Sequence, residues 1–377
     1  MEKRLQDFKD SSMELFLQFL WRQWSALGVA GYAETQDAWV VDPEALLIFS
    51  CTVCRHDQRL FDEIIDWLSA NERFINIQRL RTIMKKENFQ SDAALGAIAE
   101  YMTLKNPTPK WKRLAEVCKK KSEDSPPQNL FFMKSGNPLP VPGVKDEIFE
   151  KYGLIRNPVQ NRSLSKPFPP KAPVTLLLQL RALMGVCARC EVLLYLLLQD
   201  RAAIQEIADQ TYYSWRSVQD ILFEMGHSGL LTFPEAKRGR TYRFSGEPWL
   251  HILLKNPDIK INWICWPPLF RALELIWNKL NDPVFVDLSA LGQAAELRTL
   301  MTGQIASKLE RAGLGSLVHS PKIYEGEEYI DVFLSNIKTV LNTITTESQT
   351  GKDPGNTMPE DFPAPDKSIK QMEREQK

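Results

Sequence analysis

The chain has 377 residues with 47 basic and 47 acidic side chains, so its formal net charge is zero. At 44% hydrophobic and 25% charged it has the composition of a globular protein with ample material for a core, and the length allows two or three domains. A chain-wide basic field of the histone or ribosomal kind is excluded, so any nucleic-acid contact must come from a local patch. No apolar run approaches the roughly 20 residues of a membrane-spanning helix, and no membrane association is expected.

The opening stretch MEKRLQDFKDSSMELFLQFLWRQW is charged at its start and lacks a small-residue cleavage site after its apolar part. It reads as an amphipathic helix with Phe16, Leu17, Leu20 and Trp24 on one face, not as a signal peptide, and a cytoplasmic location is the default. After a break at Gly28–Gly31, Asp42-Pro43-Glu44 is a strong helix start, with a cap ahead of proline at the first helical position. Ala45 to Val53 then has no polar face and is expected to be buried centrally. Arg59 to Leu68 aligns Phe61, Ile64, Ile65 and Leu68. The next segment carries Arg79, Arg81, Lys85 and Lys86, with Leu80 and Ile83 on another face. A further helix starts at Ser91 and carries Leu95, Ile98 and Met102. A second DNA-contacting element is conceivable over these two helices; the plainer reading of the basic face is a solvated one. Residues 1–104 are thus read as a helical N-terminal domain.

Residues 105–171 change character. Prolines recur at 107, 109, 126, 127, 138, 140 and 142, and basic runs lie at 110–113 and 119–121. One short helix, Lys112 to Lys120, is expected within a Pro-rich basic connector. The basic runs suit phosphate contact or a solvated linker, with the linker the plainer reading.

Val174 to Met184 is an apolar helix whose Leu176, Leu177, Leu180 and Leu183 spacing suits packing against the next domain of the chain or against a second copy of it. Val192, Leu193 and Leu196 then recur at helical spacing, and Ile204, Ile207 and Ala208 mark a short amphipathic helix. Ser214 sits where an N-cap belongs. Val218, Ile221, Leu222 and Met225 form the stripe of a third helix, with Gly226 and Gly229 near its end, where left-handed conformations are needed. Leu230 to Phe233 and Arg240 to Phe244 read as two strands around a tip holding Pro234 and Gly239.

Three short helices followed by a hairpin resemble a winged helix-turn-helix domain, most like the ArsR-type and related small bacterial regulators. The resemblance covers about 60 residues, about 185–245, within an expected domain at 172–246. It implies that the helix opened by Ser214 is the recognition helix and that Pro234–Arg240 is the wing. Recognition helices put their N-terminal residues into the major groove of double-stranded DNA. Here those are Ser214, Trp215, Arg216 and Ser217, with Gln219 and Asp220 next. Arginine can pair bidentately with guanine, and glutamine with adenine. Lys237, Arg238 and Arg240 on the wing, with Arg243 on the following strand, suit phosphate contact. Against this, Asp220 and Glu224 would repel phosphate if they faced it, and a winged helix can serve a structural or partner-binding role without touching DNA.

Residues 247–345 are read as a helical C-terminal domain. Trp249, Trp263, Trp266 and Trp277 cluster there, and Leu269, Leu273, Ile276 and Leu280 at helical spacing make core the plainer reading over a ligand pocket. Two more amphipathic helices come next, and the last bears Ile330, Phe333, Ile337 and Leu341. Residues 346–377 are polar, dotted with Pro and Gly, and expected to be disordered.

The six cysteines include two C-x2-C pairs, Cys51/Cys54 and Cys187/Cys190, which could together make a zinc site. Their wide separation and apolar contexts favour buried reduced thiols. No H-E-x-x-H, G-x-S-x-G or Walker A motif is present, and His56-Asp57 reads as polar residues at a helix start. No enzyme activity, metal or cofactor is expected. The expected fold is mainly α and multi-domain, with a central winged helix-turn-helix and a small β-hairpin wing. The expected function is a bacterial-type transcriptional regulator that binds DNA as a homodimer. The alternative is a protein-interaction module, such as a winged-helix antitoxin that neutralises a partner enzyme encoded nearby.

Overall fold

The computed structural model describes residues 3–31, 39–106, 109–122, 126–199, 201–232, 241–244, 246–256, 258 and 261–345. The fold is mainly helical. Its first helices are α1 (Lys3–Ala26), α2 (Pro43–Val53), α3 (Gln58–Asn71), α4 (Ile77–Glu87), α5 (Asp92–Lys105), α6 (Pro109–Ser122) and the short α7 (Glu147–Glu150). The central ones are α8 (Leu176–Met184), α9 (Ala188–Leu198), α10 (Ile204–Thr211), α11 (Trp215–His227) and α12 (Glu247–Leu253). The last are α13 (Trp266–Leu280), α14 (Pro283–Val286), α15 (Ala290–Leu300), α16 (Ala306–Arg311) and α17 (Tyr329–Thr345). Strands are short: β1 (Gln128–Asn129) pairs in parallel with β2 (Leu154–Ile155). A three-stranded antiparallel sheet takes the order β3 (Ala202–Ala203), β5 (Thr241–Phe244), β4 (Leu231–Thr232).

α2 organises the larger core. Asp42 caps it by accepting from the Ala45 backbone N–H at 3.0 Å, and Pro43 occupies its first turn. Every residue of the helix except Thr52 is buried. A helix without a polar face needs apolar neighbours all round, and α1, α4, α5 and α13 supply them. The Phe49 ring stacks on Phe270 of α13 at 4.7 Å, while Phe19 of α1 meets Trp266 at 5.6 Å. The segments expected as separate N- and C-terminal domains therefore share one core, which runs from Leu5 to Ile344. A smaller core gathers Val192, Leu193, Leu196, Ile207, Val218, Leu222 and the inward residues Leu231, Tyr242 and Phe244 of the sheet. Leu176, Leu177 and Leu180 of α8 also belong to it, so that face is covered within the chain; Leu183, 63% exposed, is not.

Residues 105–171 are also more tightly held than a connector. α6 buries Trp111, Leu114 and Cys118 against α5. Arg156 is fully buried, paired with Asp62 at 2.6 Å, with its guanidinium over the Phe131 and Phe149 rings at 5.1 and 4.9 Å. The next run of chain is strapped across α3. Asp66 accepts from the backbone N–H groups of Ser163, Leu164 and Ser165 at 2.9–3.0 Å, and Lys166 N–H donates to the Gly28 carbonyl at 3.0 Å. Gly28 has φ +105°, and a Cβ there would lie 2.8 Å from the Lys166 carbonyl oxygen, so glycine is required. The strap supplies the buried hydrogen bonds that an irregular backbone needs.

Where the two cores meet, Asp42, Glu44, Arg79, Arg181 and Glu191 form a buried ion network. Arg181 donates to Glu44 at 2.6 and 2.9 Å and to Glu191 at 2.5 Å. Arg79 donates to Asp42 at 2.6 Å and to Glu44 at 2.9 Å. Burial works against the Asp42 carboxylate, but the Arg79 guanidinium outweighs it and holds the carboxyl below its ordinary range. Arg79, expected on a solvated basic face, is instead 3% exposed.

Smaller expectations also shift. Ser91 precedes α5, but its buried hydroxyl makes no capping bond and has no hydrogen-bond partner among the described residues. Gly229 has φ +77°, as the end of α11 requires, whereas Gly226 lies within the helix. The Cys51, Cys54, Cys118, Cys190 and Cys265 thiols are buried and form no disulfide, Cys187 is half-buried, and burial pushes Cys190 up to about 12. No group of His, Cys, Asp or Glu suited to a metal ion occurs among the described residues. His56 lies between the Phe132 and Trp277 rings at 5.8 and 5.4 Å, and Asp57 caps α3 and accepts from the Trp21 indole at 2.8 Å. Among the described residues no helix is long and apolar enough to cross a membrane. The expected tail at 346–377 lies outside the described residues.

Candidate nucleic-acid interface

α10 ends at Tyr212, a non-glycine residue in the left-handed region at φ +68°. That conformation costs on the order of 1–3 kcal/mol and persists only where surrounding contacts fix it. Here they do. The buried Tyr212 hydroxyl donates to Glu87 at 2.5 Å and accepts from Arg311 at 3.0 Å. Burial would raise the Glu87 carboxyl, but the Arg311 and Tyr212 hydrogen bonds outweigh it and hold the carboxyl below its ordinary range. The next residue, Tyr213, accepts from Asn76 at 2.9 Å and donates to Glu191 of the buried network at 3.1 Å. The turn into α11 is thus tied to α4, α9 and α16.

Ser214 then caps α11, its hydroxyl accepting from Ser217 N–H at 3.1 Å. Val218, Ile221, Leu222 and Met225 face inward, as the stripe predicts. Ser214, Trp215, Arg216, Ser217, Gln219 and Asp220 are exposed together at the start of the helix. Glu224, one of the two acids that would repel phosphate, pairs with Arg189 of α9 at 2.5 Å. Arg243 on β5 is exposed. The expected wing residues Lys237, Arg238 and Arg240 lie outside the described residues.

Two features were missed in the sequence, the exposed Phe223 and the anchoring of the turn before α11. Phe223 is 59% exposed, with its ring against His227 at 4.3 Å, on the same helix as the expected Trp215, 45% exposed. The helical stripe gave the signal, because it leaves Phe223 off the inward face. The anchoring of Tyr212 and Tyr213 had no local signal, since Glu87 is 125 residues distant from Tyr212.

No protein-family model, curated protein or solved structure matches the chain.

Proposed function

We propose that the chain is a DNA-binding protein, a transcriptional regulator of winged helix-turn-helix type, in which α11 enters the major groove. The observation that carries this reading is the exposed amino-terminal turn of α11, with Arg216, Ser217 and Gln219 presented beside Trp215. The element order supports it: α9, β3, α10, a three-residue turn, α11, then β4 and β5 paired antiparallel. Arg216 and Gln219 would read base edges, and Trp215 would pack against base methyl or sugar groups. Lys237, Arg238 and Arg240 would hold phosphates, and the chain would act as a homodimer in the cytoplasm without enzymatic activity.

A second reading, a protein partner encoded nearby and held as an antitoxin holds its enzyme, is favoured by one observation. Trp215 and Phe223 are exposed on the same helix as Asp220, which suits an apolar interface with a polar rim.

The test is fluorescence anisotropy of the chain with its own upstream DNA and with a scrambled duplex across a salt series. Tighter binding to its own DNA, with Arg216→Gln losing about 1–3 kcal/mol of preference at one base position, supports the first reading. Equal weak binding to both duplexes, with a gene-neighbour product co-purifying through Phe223, supports the second.

A further inference from the structure

Among the described residues, several surface cations outside the α4–α6 region pair with carboxylates. Arg4 pairs with Asp331, Lys134 with Glu14, Lys151 with Glu100 and Lys279 with Glu296. On α4 and α6, surface cations are gathered on two neighbouring helices. A groove of about 1030 Å³ runs between α4, α6, the start of α5 and β1, and its walls include Gln78, Arg81, Lys85, Lys86, Asp92 and Val117. Arg81, Lys85 and Lys86 are the solvent-facing charges of α4; its one acid, Glu87, is buried. On α6, Lys112, Arg113, Lys119 and Lys120 are exposed against a single exposed acid, Glu116. None of these cations has an ion-pair partner among the described residues. In a chain of zero net charge this is a local positive field.

The field adjoins the start of α11. α4 is tied along its length to the turn that opens that helix. Asn76 donates to Tyr213 at 2.9 Å, the Arg79 Nε donates to the Thr211 carbonyl at 3.0 Å, and Lys86 Nζ lies 5.5 Å from the Tyr212 ring. Packed helices lie about 8–10 Å apart, so the path from α11 across α4 to α6 is about 20 Å, or roughly six base pairs at about 3.4 Å each. The groove's aromatic rings, Phe89 and Tyr152, are 3% and 1% exposed, so it offers bases no stacking platform of the kind single strands need. Its polar lining is mostly cationic and amide, beside the Asp92 carboxylate and an apolar floor that includes Met84, Leu114 and Val117; cations and amides are the chemistry of backbone phosphate contact.

We propose that the exposed faces of α4 and α6, with the groove between them, are a second phosphate-binding surface that carries duplex DNA onward from α11. The proposal rests on α11 being the reading helix. Its test compares a 12-base-pair duplex centred on the α11 site with a 30-base-pair duplex, each titrated across a salt series by anisotropy. The proteins are the wild type, Arg81→Gln/Lys85→Gln, Arg113→Gln/Lys119→Gln and the charge-preserving Arg81→Lys/Lys85→Arg. Lys85, Arg113 and Lys119 are exposed and Arg81 is half-buried, and unchanged far-ultraviolet circular dichroism confirms folding. Each phosphate neutralised adds about 0.9 to the slope of log affinity against log salt. Each glutamine pair should therefore lower the slope by about 1.8 on the long duplex; on the short one, which reaches about six base pairs to each side, the α4 pair should lower it as well and the α6 pair, at its end, should not, while the charge-preserving pair keeps the wild-type slope. Wild-type slopes for both glutamine pairs on the long duplex overturn the proposal. An equal loss for the α6 pair on both duplexes overturns the claim that the surface carries the duplex onward from α11. The α11 reading fails separately, if Arg216→Gln keeps full sequence preference on both duplexes, and a wild type that binds neither duplex overturns both.

Discussion

Replacing Arg181 with methionine should be among the most damaging single changes in the protein. Its side chain is completely buried and its guanidinium is shared by Glu44 and Glu191, with a further bond to the Phe74 carbonyl at 2.7 Å. Methionine fills much of the volume but leaves the Glu191 carboxylate with Tyr213 and no guanidinium, and Glu44 with Arg79 and Asn76. Stranding a buried charge in this way costs about 3–5 kcal/mol, a large part of a typical stability of about 5–15 kcal/mol. Urea unfolding followed by both tryptophan fluorescence and circular dichroism measures the loss. At a slope of about 3 kcal/mol/M the midpoint should fall by about 1–2 M. Adding Glu191→Leu should then recover about 1–2 kcal/mol, because the stranded carboxylate is gone, so the two changes should be strongly non-additive. An Arg181→Met protein within about 1 kcal/mol of wild type, or a strictly additive double variant, would refute the argument that the network is held by mutual charge compensation.

Two further outcomes concern buried polar groups. Asp66→Asn puts an amide donor against three backbone N–H groups; it should cost about 2–3 kcal/mol and speed protease cleavage between residues 160 and 168, and an unchanged cleavage rate there would remove Asp66 as the anchor of the strap. His56 is held neutral, its pKa lowered to about 4 by burial and then by Arg55 and Lys9. Because the unfolded imidazole titrates near 6.5, this stability is fully present above about pH 6.5 and is lost as pH falls from there toward 4. The full shift corresponds to about 3 kcal/mol, and partial solvent exposure of the ring reduces it to roughly 1–2 kcal/mol. Thermal melts of wild type and His56→Gln between pH 7.5 and 4 should converge in slope only above pH 6.5; parallel curves throughout would remove His56 from the acid response.

Much of the secondary structure is written in local patterns. The Asp42-Pro43 start, the apolar run to Val53, the Ser214 cap and the stripe Val218–Ile221–Leu222–Met225 all depend on neighbours within a turn or two, and the structure reproduces them. Local patterns do not carry which apolar face meets which. α2 and α13 lie more than 200 residues apart, yet the Phe49–Phe270 stack joins them, which removes the boundary expected between terminal domains. Proline content likewise suggested a loose connector at 105–171, because the acceptors that strap it down, such as Asp66, sit on a distant helix. Arg79 misled for the same reason: a basic residue on an amphipathic helix reads as solvated until Asp42 and Glu44 are brought beside it. In the candidate interface, the exposed start of α11 was legible from its cap and stripe, whereas the pairing of Glu224 with Arg189 needed the tertiary fold.

The double tyrosine lock on the turn before α11 has a mechanical consequence. Pivoting that helix would pull two phenol groups out of buried hydrogen bonds and disturb the Glu191 charge network with them. At about 1.5–3 kcal/mol for each bond to a charged group, such a swing costs about 3–6 kcal/mol and is populated at roughly 1% or less. The exposed start of α11 is thus held in a fixed pose, as a key is held in a vice, and its presentation to solvent is set by the tyrosine anchors rather than by the helix itself.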